Sequence, residues 1–288
     1  MAIFLDLRLN AVGGGLASTV AVNQLTPAGD YQSLDLPSLL SAINGRHVLL
    51  CTHGFNVDRQ DGIDSLANWA SLLQMPQPFV AIGILWPGDS VWAHGLDYPA
   101  EPRIADDAGQ LLAPFIDRHF ASAASIAFAS HSLGARVVLE TASLMTTPIA
   151  RTILMAGAID DNCLNTEFQP YLANFGNISV LASKKDEVLA AIFPLGNFLA
   201  GILTQGHPWW HAALGHCGPS NPRPASFQAP FQIPDTWNFG HGDYLKIDPA
   251  APAPNPIPTA IPPQGTPQPA NPGWQEAFTA AFASTRLR

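Results

Sequence analysis

Short apolar runs alternate with segments of helical periodicity along most of the first 190 residues. Two alternating stretches, Ile3–Leu9 and Ala17–Leu25, flank Gly13-Gly14-Gly15 and predict a β-hairpin. Five further runs, His47–Thr52, Phe79–Trp86, Ser125–Ser130, Thr152–Ala156 and Ile178–Ala182, consist mostly of Val, Ile, Leu and Ala, the pattern of strands covered on both faces. Between them, Ile63, Leu66, Ala67, Ala70 and Leu73 share one helical stripe, and Ile104, Ala108, Leu111, Leu112 and Phe115 share a second. A third, Leu133, Val137, Val138 and Leu144, stops at Thr147-Pro148. Strand–helix repetition of this kind predicts an α/β fold with a mostly parallel central sheet, right-handed crossovers and helices on both faces.

The pattern loosens after Asp186. Residues 188–240 are rich in Phe, Trp, Gly and Pro and too long for an ordinary connection, so they are expected to form a lid or cap insertion in a domain spanning 1–248. Residues 249–273 form a Pro-rich connector, extended and semi-rigid. Residues 274–288 carry Trp274, Ala277, Phe278, Ala281 and Phe282 at the spacing of an amphipathic helix, expected to dock on its own sheet. The alternative partner for that face is a second subunit, which would make the protein a homo-oligomer.

Composition narrows the function classes. Of 288 residues, 47% are hydrophobic and 12% charged, against a usual charged share of about 25%, so the chain has to bury a large core. The 13 basic and 22 acidic residues give a net charge of −9 with no Lys/Arg cluster, which excludes a nucleic-acid backbone as partner. Three separated cysteines, Cys51, Cys163 and Cys217, form neither a zinc motif nor a disulfide framework, although one disulfide plus a free thiol stays open. The start Met1-Ala2-Ile3-Phe4-Leu5-Asp6 has no basic region or long apolar core, so no signal peptide is expected. The most apolar window, Val188 to Leu203, is broken by Pro194, Gly196, Asn197 and Gly201 and is shorter than the ~20 residues of a membrane span. These features predict a soluble, cytoplasmic protein.

The chemistry centres on Ser130-His131-Ser132-Leu133-Gly134, which follows one predicted strand and opens a predicted helix. That is the setting of a nucleophile elbow, where a tight turn projects the central hydroxyl outward and demands small residues two positions to either side. Gly134 meets the demand, and Ser130 stands where glycine is usual. A serine needs a base oriented by a carboxylate, and in this architecture the chain order is Ser, then Asp or Glu, then His. Asp186, just after a predicted strand, fits the acid position, and it also suits the N-cap of the stripe beginning at Val188. Asp160, Asp161 and Glu187 are rivals for the acid. His241, on the glycine-flanked turn Phe239-Gly240-His241-Gly242, is the last histidine of the chain and the candidate base. His131 precedes the nucleophile and is expected to point the other way, while His207, His211 and His216 fall in the expected lid.

Acyl transfer also requires donors aimed at the developing oxyanion. One is expected from the backbone N–H of Leu133. The other is expected from Phe55, or less favourably Asn56, in Thr52-His53-Gly54-Phe55-Asn56, where His-Gly allows a sharp turn. His53 is read as bonding the loop backbone, since no second ligand stands at a metal-supporting spacing.

Taken together, His53–Asn56, Trp86-Pro87-Gly88-Asp89 and His131–Gly134 resemble the α/β-hydrolase superfamily, and within it serine hydrolases with His-Gly-Phe-Asn and His-Ser-Leu-Gly motifs. Tyr98, Asp106-Asp107, Ala158–Asp161 and Ser183–Asp186 extend the resemblance over roughly residues 45–190, with His241 matching more loosely. The resemblance implies a Ser132–Asp186–His241 triad, esterase-like activity and no metal or organic cofactor. Phe193, Phe198, Trp209 and Trp210 either pack the expected lid or point to an apolar acyl or alkyl group, a small-molecule or lipid-like ester. Amidase, peptidase or acyltransferase activity would use the same groups, and a non-catalytic binding scaffold is a further alternative.

Overall fold

Nine strands pair into one sheet in the computed structural model, which describes residues 2–13, 15–72, 78–89, 101–191, 211–220, 226, 231–233, 235 and 238–244. They are β1 (Ala2–Arg8), β2 (Leu16–Leu25), β3 (Tyr31–Ser33), β4 (His47–Thr52), β5 (Phe79–Leu85), β6 (Ser125–His131), β7 (Ile149–Met155), β8 (Asn177–Ser183) and β9 (Phe231–Ile233). Their order is β3-β2-β1-β5-β4-β6-β7-β8-β9. The pairs β1–β2 and β2–β3 are antiparallel, and every pairing from β1 across to β9 is parallel.

The helices are α1 (Leu36–Ile43), α2 (Arg59–Leu72), α3 (Glu101–His119), α4 (Gly134–Leu144) and the short α5 (Leu214–Cys217). Because β5 and β6 flank β4, the crossover from β4 to β5 through α2 runs one way along the sheet, and the crossover from β5 to β6 through α3 runs the other. Equal handedness then puts α2 and α3 on opposite faces. The connection from β6 to β7 through α4 repeats the second direction, and α4 packs along α3. The point where the strand order reverses, at the carboxyl ends of β4 and β6, is where such sheets open a crevice.

Coverage on both faces explains the strand composition. In β6, Ile126, Ala127, Phe128 and Ala129 are all buried, so neither face tolerates a polar alternation. Strand β2, next to the edge, is the contrast, with its residues only partly covered or exposed. The hairpin expected around Gly13–Gly15 is present as β1 and β2, and four of the five predicted parallel strands lie within one or two residues of their observed limits. The fifth begins at Ile149 rather than Thr152 and ends before Ala156, whose φ of 46° takes the chain out of the ladder.

The short elements β3, α1 and β9 were not anticipated. The local signal for α1 is the carboxylate of Asp35 accepting the N–H of Ser38 at 2.7 Å, with Pro37 in the first turn. Strand β9 lies inside the segment expected as a lid. There, Leu189, Ala213, Leu214, Ile233 and Phe239 are buried in the common core, so the described parts of 188–240 belong to the body of the domain. Tyr98, Phe193, Phe198, Trp209, Trp210, the Pro-rich stretch 249–273 and the helix expected at 274–288 fall outside the described residues. Cys51, Cys163 and Cys217 are all free thiols, which removes the disulfide left open above. No helix among the described residues is long and apolar enough to cross a membrane.

Phe128, fully buried in the strand that leads to Ser132, gives a direct test of this core. Phe128→Ala is expected to cost about 3–5 kcal/mol, read as a lower urea midpoint with an unchanged slope.

Candidate active site

Two residues, Ser132 and Leu133, separate β6 from α4. Ser132 has φ 54°, a left-handed conformation that a non-glycine residue holds only when its surroundings over-determine it. They do: its N–H donates to Met155 O at 3.0 Å, and its carbonyl accepts from Ala158 N at 3.0 Å and Ala135 N at 3.1 Å. The crowding expected of such a bend is present. A Cβ on Gly134 would stand 2.4 Å from the carbonyl oxygen of His53. Ser130 fits in place of glycine because its buried hydroxyl faces β7, 3.5 Å from Ile153 O.

The side chains of Ser132, His241 and Asp186 form one hydrogen-bonded line. His241 Nε2 is 2.9 Å from Ser132 Oγ, and His241 Nδ1 is 2.8 Å from Asp186 Oδ2. A carboxylate only accepts, so Nδ1 carries the ring proton and Nε2 presents a lone pair to the serine hydroxyl. Asp186 is fully buried, and its other oxygen accepts the N–H of Leu189 at 2.9 Å. The carboxylate therefore caps the helical turn beginning at 187 with one oxygen while the other accepts from the imidazole of His241. Of the rivals, Asp160 forms a main-chain bridge with Ala213, the Asp161 carboxylate faces His211 Nδ1 at 3.6 Å, and Glu187 is exposed.

His241 opens the 3-10 turn His241–Tyr244, which is fixed from three directions. Gly240 N donates to Asp243 Oδ2 at 2.7 Å, Ser183 Oγ donates to Phe239 O at 2.6 Å, and His131 Nε2 donates to His241 O at 2.7 Å. His131 is thus not turned away from the site, as its chain position implied, but holds the backbone of the candidate base. Neither it nor Ser183 carried a sequence signal for this role, because each acts on a main-chain carbonyl some 50 or more residues distant in the chain.

The loop after β4 passes directly beside the serine. A Cβ on Gly54 would lie 2.7 Å from Ser132 Cβ and 3.2 Å from its Oγ, so glycine is required here by close approach rather than by the sharp turn expected. Asn56 N–H donates to Gly88 O at 2.7 Å, which occupies one of the two candidate oxyanion donors. Leu133 N–H stands at the mouth of α4, where first-turn N–H groups have no acceptor within the helix. His53 Nδ1 donates to Gly54 O at 2.9 Å and its ring stacks on Trp86, whose indole N–H donates back to His53 O at 3.0 Å. Among the described residues no group of His, Cys, Asp or Glu side chains is arranged to hold a metal ion.

A mostly parallel nine-stranded sheet with a strained serine at the strand–helix bend, a histidine and a buried acid in line with it, defines an α/β hydrolase. Residues 31–258 match the family model described as alpha/beta hydrolase of unknown function (DUF900), and the chain belongs to that family. Solved structures similar to it include esterase PE8 (16% identity, 69% of this chain and 86% of that one, TM-score 0.39). Carboxyl esterase 2 from the mycorrhizal fungus Tuber melanosporum (13%, 86% and 86%, 0.42) and an esterase from Pyrobaculum calidifontis (14%, 77% and 76%, 0.37) are two others. A comparison with curated proteins gives no match.

Burial holds both His53 and His131 neutral, pushing each down to about 4; the Arg8 guanidinium adds to the effect on His53, and the neighbouring His241 adds to it on His131. In the unfolded chain each takes up a proton near 6.5, so between that value and about 4 the unfolded state binds more protons than the folded one. The stability at stake is complete above about pH 6.5 and is lost as pH falls toward 4. From pH 7 to pH 5 the loss is expected to be about 2 kcal/mol per histidine. His131→Gln, which keeps a donor for His241 O, is expected to remove about half of it in urea titrations at the two pH values.

Proposed function

We propose that the protein is a serine hydrolase that cleaves carboxylic esters through an acyl-enzyme. The observation that carries this reading is the unbroken line from Ser132 Oγ through His241 to the buried Asp186 carboxylate, at 2.9 Å and 2.8 Å. His241 Nε2 takes the hydroxyl proton as Ser132 Oγ bonds to the ester carbonyl carbon, and the carbonyl electrons move onto its oxygen. The N–H groups of Leu133 and Phe55 hold that oxyanion. The imidazolium is stabilised by Asp186 and returns its proton to the leaving alkoxide as the C–O bond breaks. Water then gives a proton to Nε2 and its oxygen to the acyl carbon, and Ser132 leaves with the proton restored. The chemistry draws on no metal or organic cofactor. An apolar acyl or alkyl group remains our reading of Phe193, Phe198, Trp209 and Trp210 in the sequence.

Ser132→Ala and His241→Ala are each expected to lower kcat on p-nitrophenyl esters by about 10⁴-fold or more, with the fold retained. A fluorophosphonate is expected to label wild type and not Ser132→Ala. Absence of labelling in folded wild-type protein would leave a binding scaffold instead. Asp186→Asn is expected to be slow as well, because the amide favours the wrong imidazole tautomer, and to melt lower through weakening of the helix cap. Wild-type turnover in Asp186→Asn would transfer the acid role to Asp160 or Asp161. Across esters of graded acyl length, activity confined to the shortest chains would contradict the apolar-pocket reading.

A further inference from the structure

Arg8, at the end of β1, lies outside the residues matched by the family model and outside every motif noted in the sequence. It is nevertheless only 5% exposed, and all five of its side-chain N–H donors have acceptors. Nε donates to Asn10 O at 3.3 Å and Nη2 to Ala11 O at 3.3 Å, both in the loop after β1. Nη1 donates to Val57 O at 3.0 Å and to Trp86 O at 2.9 Å. Nη2 also pairs with the carboxylate of Asp89, whose second oxygen accepts Gly13 N–H at 2.8 Å.

These acceptors lie in three loops at the carboxyl end of the sheet. Two of the loops are tied to each other on both sides of Phe55: Trp86 Nε1 donates to His53 O at 3.0 Å, and Asn56 N donates to Gly88 O at 2.7 Å. Arg8 closes the ring by gripping Val57 on one loop and Trp86 and Asp89 on the other. The segment so framed, 53–57, runs against Ser132 with no room for a side chain at Gly54. An oxyanion donor acts only if it is fixed before the charge develops, and a displacement of about 1 Å forfeits most of its effect.

We propose that Arg8 is the positioning residue of the oxyanion hole. Its guanidinium sets where the Phe55 N–H points by locking loop 53–57 to loop 86–89, and Asp89 seats the guanidinium. The assignment rests on the ester-hydrolase reading above. Lysine keeps the charge but has three donors and no planar fork, so it can satisfy at most three of the five acceptors.

The test compares wild type, Arg8→Lys, Asp89→Asn and Ser132→Ala, with active sites counted by fluorophosphonate titration. For Arg8→Lys, kcat per titrated site on p-nitrophenyl acetate is expected to fall about 10- to 100-fold with KM within about twofold. Affinity for a trifluoromethyl ketone, whose serine adduct places an oxyanion in the hole, is expected to weaken by the same factor as kcat/KM. Asp89→Asn is expected to move both readouts in the same direction by about tenfold, and serves if Arg8→Lys does not fold. A merely structural arginine would lower the melting temperature and the number of titratable sites while leaving kcat per site and ketone affinity unchanged. Wild-type values in whichever variant folds therefore overturn the proposal. If wild type itself fails to take the phosphonate at Ser132, the ester-hydrolase reading falls and the Arg8 assignment with it. If wild type is labelled and the variants match it, only the Arg8 assignment falls.

Discussion

The parallel register between β4 and β6 is the constraint on which the site depends. Thr52 pairs with Ser130, so continuing both strands two residues brings Gly54 alongside Ser132. The loop after one strand and the bend after the next are thus forced together at the point where the strand order of the sheet reverses. Glycine at 54 and at 134 makes that approach sterically admissible. Hydrogen bonds from the neighbouring β7 connection then hold Ser132 in a conformation it would not adopt alone. A shift of one residue in the β4–β6 pairing would turn every core side chain of the strand to the opposite face, and the close packing of side chains of different size on the two buried faces opposes it.

Around that contact, buried polar groups serve structure and geometry together. Asp186 caps a helical turn with one oxygen and orients His241 with the other. Desolvation shifts the partly buried His131 toward its neutral form, and its N–H is spent on the backbone of His241 rather than on solvent. Arg8 is a buried cation with a carboxylate and four carbonyls around it, the condition under which burying a charge is tolerable. In each case an unpaired group would be expensive inside the protein, so the interactions that keep these groups satisfied also hold the side chains and loops of the candidate site in place.

The sheet was legible because its physics is local. Strands buried on both faces are continuous apolar runs, and helices against them show stripes, so β4, β5, β6 and β8 could be read almost to the residue. The three-residue strands β3 and β9 could not, since so short a segment has no period to detect. Phe231–Ile233 sits in aromatic, proline-rich sequence whose composition resembles a loop, and only pairing with β8 makes it a strand.

Ser132, Asp186 and His241 could be nominated from the sequence because chain order, strand ends and flanking glycines are written in it. That they stand 2.9 Å and 2.8 Å apart was decided by the fold. Gly54 was visible as a turn residue, but its actual reason, a serine against its α-carbon, is a contact between segments 78 residues apart (132 − 54). The contributions of His131, Ser183 and Arg8 had no sequence signature at all. They donate to main-chain carbonyls, which every residue possesses, so the pattern of side chains records the donor and says nothing of its acceptor. Apolar periodicity and turn chemistry set the architecture; where one loop's backbone comes to rest against another's side chain emerged only once the chain was folded.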